Sequence, residues 1–144
     1  MGVFYSIGYQ RLTVEQLIKV MDEKGVNLLV DVRSHPYSRY PAKYEFNRNQ
    51  MGENLGPRYK WMGDVLGGKY GPAKESGIET LVMMSDDRLM LMCLEAHPCD
   101  CHRLYDISRR LLMKGIDTIH IFEGIEKKTS ELAEEVCDER KRNR

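Results

Sequence analysis

Val3-Phe4-Tyr5-Ser6-Ile7-Gly8 and Leu28-Leu29-Val30-Asp31-Val32 bracket the first thirty-two residues, and what lies between them decides the fold. The first run is β-branched and aromatic and stops at a glycine, as a strand does. Thr13 follows with Gln16 three residues on, the pattern of a capping box. Val14, Leu17, Ile18 and Met21 then recur at helical spacing, and Gly25 sits where a helix ends. The second run is continuously apolar except for one acid, which suits a strand covered on both faces. Strand, helix and strand in this order make a βαβ unit.

The same grammar returns downstream. Leu89 to Leu94 reads as a third strand, and Leu104, Ile107, Ser108, Leu111 and Leu112 trace a helix face ending at Gly115. Thr118 to Phe122 reads as a fourth strand, and Leu132, Ala133 and Val136 mark a terminal helix. A further helix is expected within 72–87 through Ile78, Leu81, Val82 and Met84. Such alternation predicts an α/β fold: an open, mainly parallel, flavodoxin- or Rossmann-like sheet of about four strands, with helices on both faces. Residues 1–139 are expected to form one α/β domain and 140–144 a solvated basic tail. Between the halves, residues 33–70 have few aliphatics and three of the five prolines, and read as a long loop inserted after the second strand.

Composition narrows the function. The chain has 144 residues, 42% of them hydrophobic, enough for a real core, so disorder does not describe it. Twenty-two basic and twenty-two acidic side chains give zero net charge, so bulk attraction to nucleic acid or to an anionic membrane is not available. No apolar run reaches the ~20 residues of a membrane span, and no signal segment opens the chain, so a soluble, cytoplasmic protein is expected. In that setting the four cysteines read as reduced thiols.

Ligands of open α/β sheets bind beyond the carboxyl ends of the strands. That rule places Gly8-Tyr9, Arg33-Ser34 and Glu95 to Arg103 around one crevice, with the first and third strands adjacent. In Glu95-Ala96-His97-Pro98-Cys99-Asp100-Cys101-His102-Arg103, Asp100 is the expected N-cap. Cys101, His102 and Arg103 would then form a first turn whose amides favour an anion and lower a thiol's pKa. Cys101 is the candidate nucleophile, Glu95 the candidate proton-transfer group, and His102 falls toward the rim.

These residues carry a family resemblance. Ile7-Gly8, Asp31-Val32-Arg33-Ser34-His35-Pro36 with Ser38-Arg39, Phe46-Asn47, Leu66-Gly67-Gly68 and Cys93-x-Glu95-x-x-Pro98-x-x-Cys101-His102-Arg103 resemble the domain of unknown function 488 along almost the whole chain. The resemblance implies an α/β fold and no established activity. Relatives commonly have Gly-His after the first strand and Arg after the Gly-Gly pair, where this chain has Gly8-Tyr9 and Lys69.

Each feature also has a plainer reading. Asp31 and Arg33 share a strand face, either positioning a ligand or forming an internal ion pair. Glu95 is either an acid–base group or a carboxylate accepting loop amides. Cys93 and Cys137 read as core thiols, and His120 as a hydrogen-bonded core histidine. The spacing of Cys93, Cys99, Cys101 and His102 departs from the ligand pairs of structural zinc sites, so no metal and no cofactor are expected. Residues 33–70 hold seven basic residues and seven of the twelve aromatics, which suits either stacked bases and phosphates or a self-packed loop.

The expected function is binding of a phosphate-bearing ligand, a nucleotide or nucleic-acid fragment, with hydrolase or transferase chemistry if the protein is an enzyme. Arg33, Arg39 and Arg103 would neutralise charge, Gly8, Gly67 and Gly68 would allow close approach, and Tyr9, Asp31, Ser34, Asn47 and His102 would complete the site. The alternative is a non-catalytic nucleic-acid-binding module built on residues 33–70.

Overall fold

The computed structural model describes residues 2–132 and 134–143. Strands β1 (Val3–Gly8) and β2 (Leu28–Asp31) flank helix α1 (Val14–Lys24). Thr13 Oγ1 accepts from Gln16 N–H and Gln16 Oε1 accepts from Thr13 N–H, closing the capping box. Gly25 ends the helix at φ 67°, the left-handed geometry that favours glycine.

Residues 33–70 are more structured than a loop. They contain a 3₁₀ turn (Pro41–Phe46), helix α2 (Arg48–Leu55), strand β3 (Tyr59–Trp61) and the short helix α3 (Gly63–Leu66). Phe46, Met51, Leu55, Met62 and Leu66 are each buried, so the segment has the apolar anchors it needs despite few aliphatics. Helix α4 (Glu75–Met83), strand β4 (Arg88–Cys93), helix α5 (Arg109–Met113), strands β5 (Ile119–Phe122) and β6 (Ile125–Lys128) and helix α6 (Glu134–Arg142) follow. Ala133, expected in the terminal helix, lies outside the described residues, and Arg140 to Arg142 continue α6.

The sheet has six strands in the order β3-β2-β4-β1-β5-β6, against the four expected from sequence. All pairings are parallel except β5 with β6. The extra strands are edges. β3 is three residues long, and β6 joins through a hairpin whose Glu123 and Gly124 both have positive φ, as a two-residue primed turn requires. Every β6 residue is exposed and three of its four are charged, which keeps that edge from pairing further.

Strand alternation divides the core. Phe4, Leu89, Leu91 and Cys93 face α3, α4 and α5 through Leu66, Ile78, Leu81 and Leu111. Tyr5, Ile7, Met90 and Met92 face α1 and α2 through Leu17, Met21, Met51 and Leu55. A third cluster joins Cys99, Leu104, Phe122, Leu132 and Cys137 under α6. There Cys99 and Cys137 are disulfide-bonded, which corrects the expectation of four free thiols. Their separation of 38 residues hid a pairing that the docking of α6 creates.

Candidate functional site

The carboxyl ends of β1, β2 and β4 open on one cavity of about 530 Å³, within the size range of small-ligand sites. Tyr9, Arg33, Ser34, Arg39, Gly68 and His102 line it, so the segments after the three strands do meet. Cys93 also lines it, together with Lys43, Tyr37 and Tyr40 from the 33–70 segment. Gly8 allows the convergence. A Cβ there would sit 1.7 Å from Glu95 O, so only a residue without one lets β1 pass the turn after β4.

Arg33 and Asp31 form the cavity's back wall. Arg33 Nε and Nη2 donate to Asp31 Oδ1 and Oδ2 at 2.9 and 2.7 Å, a bidentate pair. Its remaining donors reach Tyr9 Oη at 2.9 Å and Phe46 O at 2.7 Å. Tyr59 Oη donates to Asp31 Oδ2 at 2.5 Å. Burial alone would favour losing the Arg33 charge, and the Asp31 carboxylate overrides it, so the guanidinium is held more firmly charged than usual. Burial and the same carboxylate push the Tyr59 hydroxyl up, so it stays a donor. The internal ion pair is therefore present at Asp31, which is 0% exposed and sits behind the lining.

Two other cations face the cavity without a carboxylate partner among the described residues. Arg39 is exposed. Lys43 Nζ donates to the carbonyls of Tyr9 and Leu12 at 3.1 and 2.8 Å and lies over the stacked Tyr9 and Phe46 rings. Among the described residues no Asp or Glu contributes to the lining. Lys43 was not among the residues expected from sequence, where only its place in a basic, aromatic segment marked it.

The floor is the 93–103 segment. His97, not Asp100, opens the turn Pro98–Asp100, with Nδ1 accepting from Cys99 N–H at 3.1 Å. The longer helical stretch starts after Cys101, whose carbonyl accepts from Leu104 N–H and whose Sγ accepts from Arg103 N–H at 3.5 Å. The cap thus falls one residue later than expected, on the thiol itself. Residues Arg103–Ser108 form a π-helical turn before α5. His102 Nε2 donates to Leu66 O at 3.0 Å, which leaves Nδ1 facing Cys101 Sγ at 3.6 Å. Hydrogen bonding from the Cys93 thiol outweighs burial and holds the Cys101 thiol well below its ordinary pKa, with His102 and Arg103 adding to the effect. The Cys93 thiol is correspondingly pushed up by Cys101 and by burial. Burial lowers the basicity of His102, but the adjacent Cys101 sulfur more than offsets it and the net shift is upward. Burial raises the Glu95 carboxyl, and its Oε2 is enclosed with no hydrogen-bond partner.

The remaining residues named from sequence take other places. Cys101 and Glu95 lie behind the cavity surface that Cys93 and His102 form. Arg103 is 0% exposed and points below the floor, with Nε donating to Ser6 Oγ at 3.2 Å and Nη1 to Glu95 O at 2.8 Å. Asn47 Oδ1 accepts from Ser38 N–H at 2.7 Å and shapes the wall. Gly67 packs on Ser34, whose Oγ accepts from Lys69 N–H.

The model of the family described as Domain of unknown function DUF488 matches residues 13–75. The match spans less than half of the chain and marks a likeness to that family over those residues. The matched segment supplies Arg33, Ser34, Arg39, Lys43 and Gly68 of the cavity, while Tyr9, Cys93 and His102 lie outside it. No curated protein and no solved structure matches the chain.

Proposed function

We propose that the cavity binds a phosphate-bearing ligand of nucleotide size. The observation that carries this reading is the charge of the lining: Arg39 and Lys43 face the space, Arg33 is already matched by Asp31, and no acid offsets the other two. In a chain of zero net charge such a local excess selects anions. Tyr37 and Tyr40, 57% and 75% exposed at the mouth, offer flat faces to a base. The doubly wound layout, with parallel strands opening on the site, is one in which nucleotides commonly bind. Hydrolytic or transfer chemistry on that ligand falls to the floor, where Cys93 and His102 face it directly and Glu95 and Cys101 stand behind them.

Calorimetry with inorganic phosphate and a panel of nucleotides tests the proposal. Arg39→Ala is expected to weaken binding about tenfold, the worth of one charge-assisted hydrogen bond. Absence of binding to every phosphate compound at low ionic strength would refute it. A second reading is favoured by four exposed tyrosines, Tyr37, Tyr40, Tyr44 and Tyr70, alongside Arg39, Lys43 and Lys69: a surface for single-stranded nucleic acid. Affinity for an oligonucleotide that falls steeply with salt would support that surface, and a shallow response confined to mononucleotides would support the cavity.

A further inference from the structure

We infer that Cys93, Cys101 and His102 form a binding site for a thiophilic divalent cation of the zinc class at the floor of the cavity. One ligand atom from each of the three lies within 4.8 Å of the other two, a spread that three donors around one ion can close to bonding distance. Sequence spacing hid this. Cys93 ends β4 and Cys101 caps the helical stretch eight residues on, and the intervening turn folds one sulfur back onto the other. Cys99, the residue that spoiled the spacing, is removed from the set by its bond to Cys137.

Four further features fit a ligand set better than an inert core. Nε2 of His102 is engaged by Leu66 O, so the ring is held in the tautomer whose Nδ1 lone pair faces Cys101. A second hydrogen bond of this kind is what orients histidine ligands in metal sites. Gly68 keeps the ring in place: a Cβ there would lie 2.7 Å from His102 Cγ, so the backbone abuts the imidazole directly. Cys101 Sγ accepts an amide N–H from Arg103, which stabilises sulfur in its anionic form. Finally, Glu95 Oε2, two residues along from Cys93, is enclosed with no hydrogen-bond partner. A cation in the cluster would give that oxygen an electrostatic partner.

Two thiolates and an imidazole select zinc, cobalt(II) or iron(II) over magnesium or calcium, which take oxygen donors. Three protein ligands leave a fourth position, and Cys93 and His102 both line the cavity, so that position opens toward the ligand space. Three ligands with one open place is the pattern of catalytic rather than structural zinc. On binding, the two thiols release their protons to solvent and no oxidation state changes.

The test uses the full chain, stripped with chelator and titrated with cobalt(II) under conditions that keep the Cys99–Cys137 bond. A sulfur-to-cobalt charge-transfer band saturating at one ion per chain, and abolished by zinc, is expected. Cys93→Ser and Cys101→Ser should each reduce the band, and His102→Gln, at a half-buried ring, should weaken the metal about tenfold to a hundredfold without unfolding the chain. The same stoichiometry is expected in a Cys99→Ala/Cys137→Ala background, where only the two cluster thiols remain. Absence of the band, its survival in the Cys93→Ser/Cys101→Ser double variant, or conversion of the pair to a Cys93–Cys101 disulfide that excludes metal under mild reductant would each overturn the assignment. The phosphate titrations are read separately, so failure here leaves the anion reading standing.

Discussion

Asp31→Ala removes one carboxylate and leaves a guanidinium inside the protein with nothing of opposite charge. Asp31 is 0% exposed and Arg33 5%, so water cannot take the carboxylate's place. Arg33 would keep Tyr9 Oη and Phe46 O and lose both carboxylate contacts, and the Tyr59 hydroxyl would lose its acceptor. Removing one partner of a buried pair costs about 3–5 kcal/mol, since the other charge remains desolvated. With a urea dependence of about 2 kcal/mol per molar for a chain of this size, the unfolding midpoint should fall by roughly 2 M. Urea unfolding followed by tryptophan fluorescence reads it, Trp61 being two residues from Tyr59. Asp31→Asn keeps an acceptor but no charge and should fall between wild type and Asp31→Ala. The double variant Asp31→Leu/Arg33→Met should recover much of the loss, because two apolar groups need no partner. A shift below roughly 0.5 M for Asp31→Ala, or a double variant as costly as the sum of its parts, would show that the pair does not carry the wall of the cavity.

Other expectations follow from the same geometry. His120 is held neutral, with its pKa pushed down to about 3 by burial and by the Arg103 charge, so the unfolded chain binds the extra proton between about pH 3 and 6.5. Stability should accordingly fall as pH drops through that window, by up to about 1.4 kcal/mol per pH unit, and His120→Gln should flatten the slope in urea midpoints measured from pH 7 to 4. Gly8→Ala forces a Cβ against Glu95 O and should destabilise by about 3 kcal/mol or abolish soluble expression, whereas Gly71→Ala, where a Cβ meets nothing within 4 Å, should cost about 1 kcal/mol through its φ of 136° alone; thermal melts separate them. Reduction of Cys99–Cys137 should cost up to about 4 kcal/mol for a loop of its length, and Cys137→Ser should abolish the difference between melts with and without reductant.

Much of this architecture is legible in the sequence, and the exceptions have identifiable causes. β1, α1, β2 and β4 announce themselves because burial on both faces demands apolar runs, and the Thr13–Gln16 box and Gly25 mark where α1 starts and stops. β3 and β6 carry no such signature: Tyr59-Lys60-Trp61 and Ile125-Glu126-Lys127-Lys128 are strands by backbone pairing at an edge, where side chains need not be apolar. Of the expected Gly8-Tyr9, Arg33-Ser34 and Glu95 to Arg103, the cavity lining keeps Tyr9, Arg33, Ser34 and His102, and that much of the convergence followed from strand direction. Which cation stays free did not. Arg33 and Arg39 look alike in sequence, but one is folded onto Asp31 and the other onto no carboxylate among the described residues, and Arg103 is drawn under the floor by a partner 97 residues away.

That partner explains two polar residues in otherwise apolar strands. Ser6 and His120 are register partners across β1 and β5, and both are 0% exposed. Arg103 Nε donates to Ser6 Oγ, and the Ser6 hydroxyl turns its own proton to Nδ1 of the neutral His120 ring. The His120 proton is then on Nε2, donated to Thr129 Oγ1 at 2.8 Å, and the Thr129 hydroxyl passes its own to Thr118 O. Every donor along this line has one direction available. A second proton on His120 would set Nδ1–H against Ser6 O–H, and a larger residue at Ser6 would occupy the path of the guanidinium. The column from Arg103 to Thr118 thus receives one edge of a guanidinium that pairs with no carboxylate among the described residues and whose Nη2 is buried without a hydrogen-bond partner. The polarity of the floor is set from the far side of the sheet edge, by residues that never touch the ligand space.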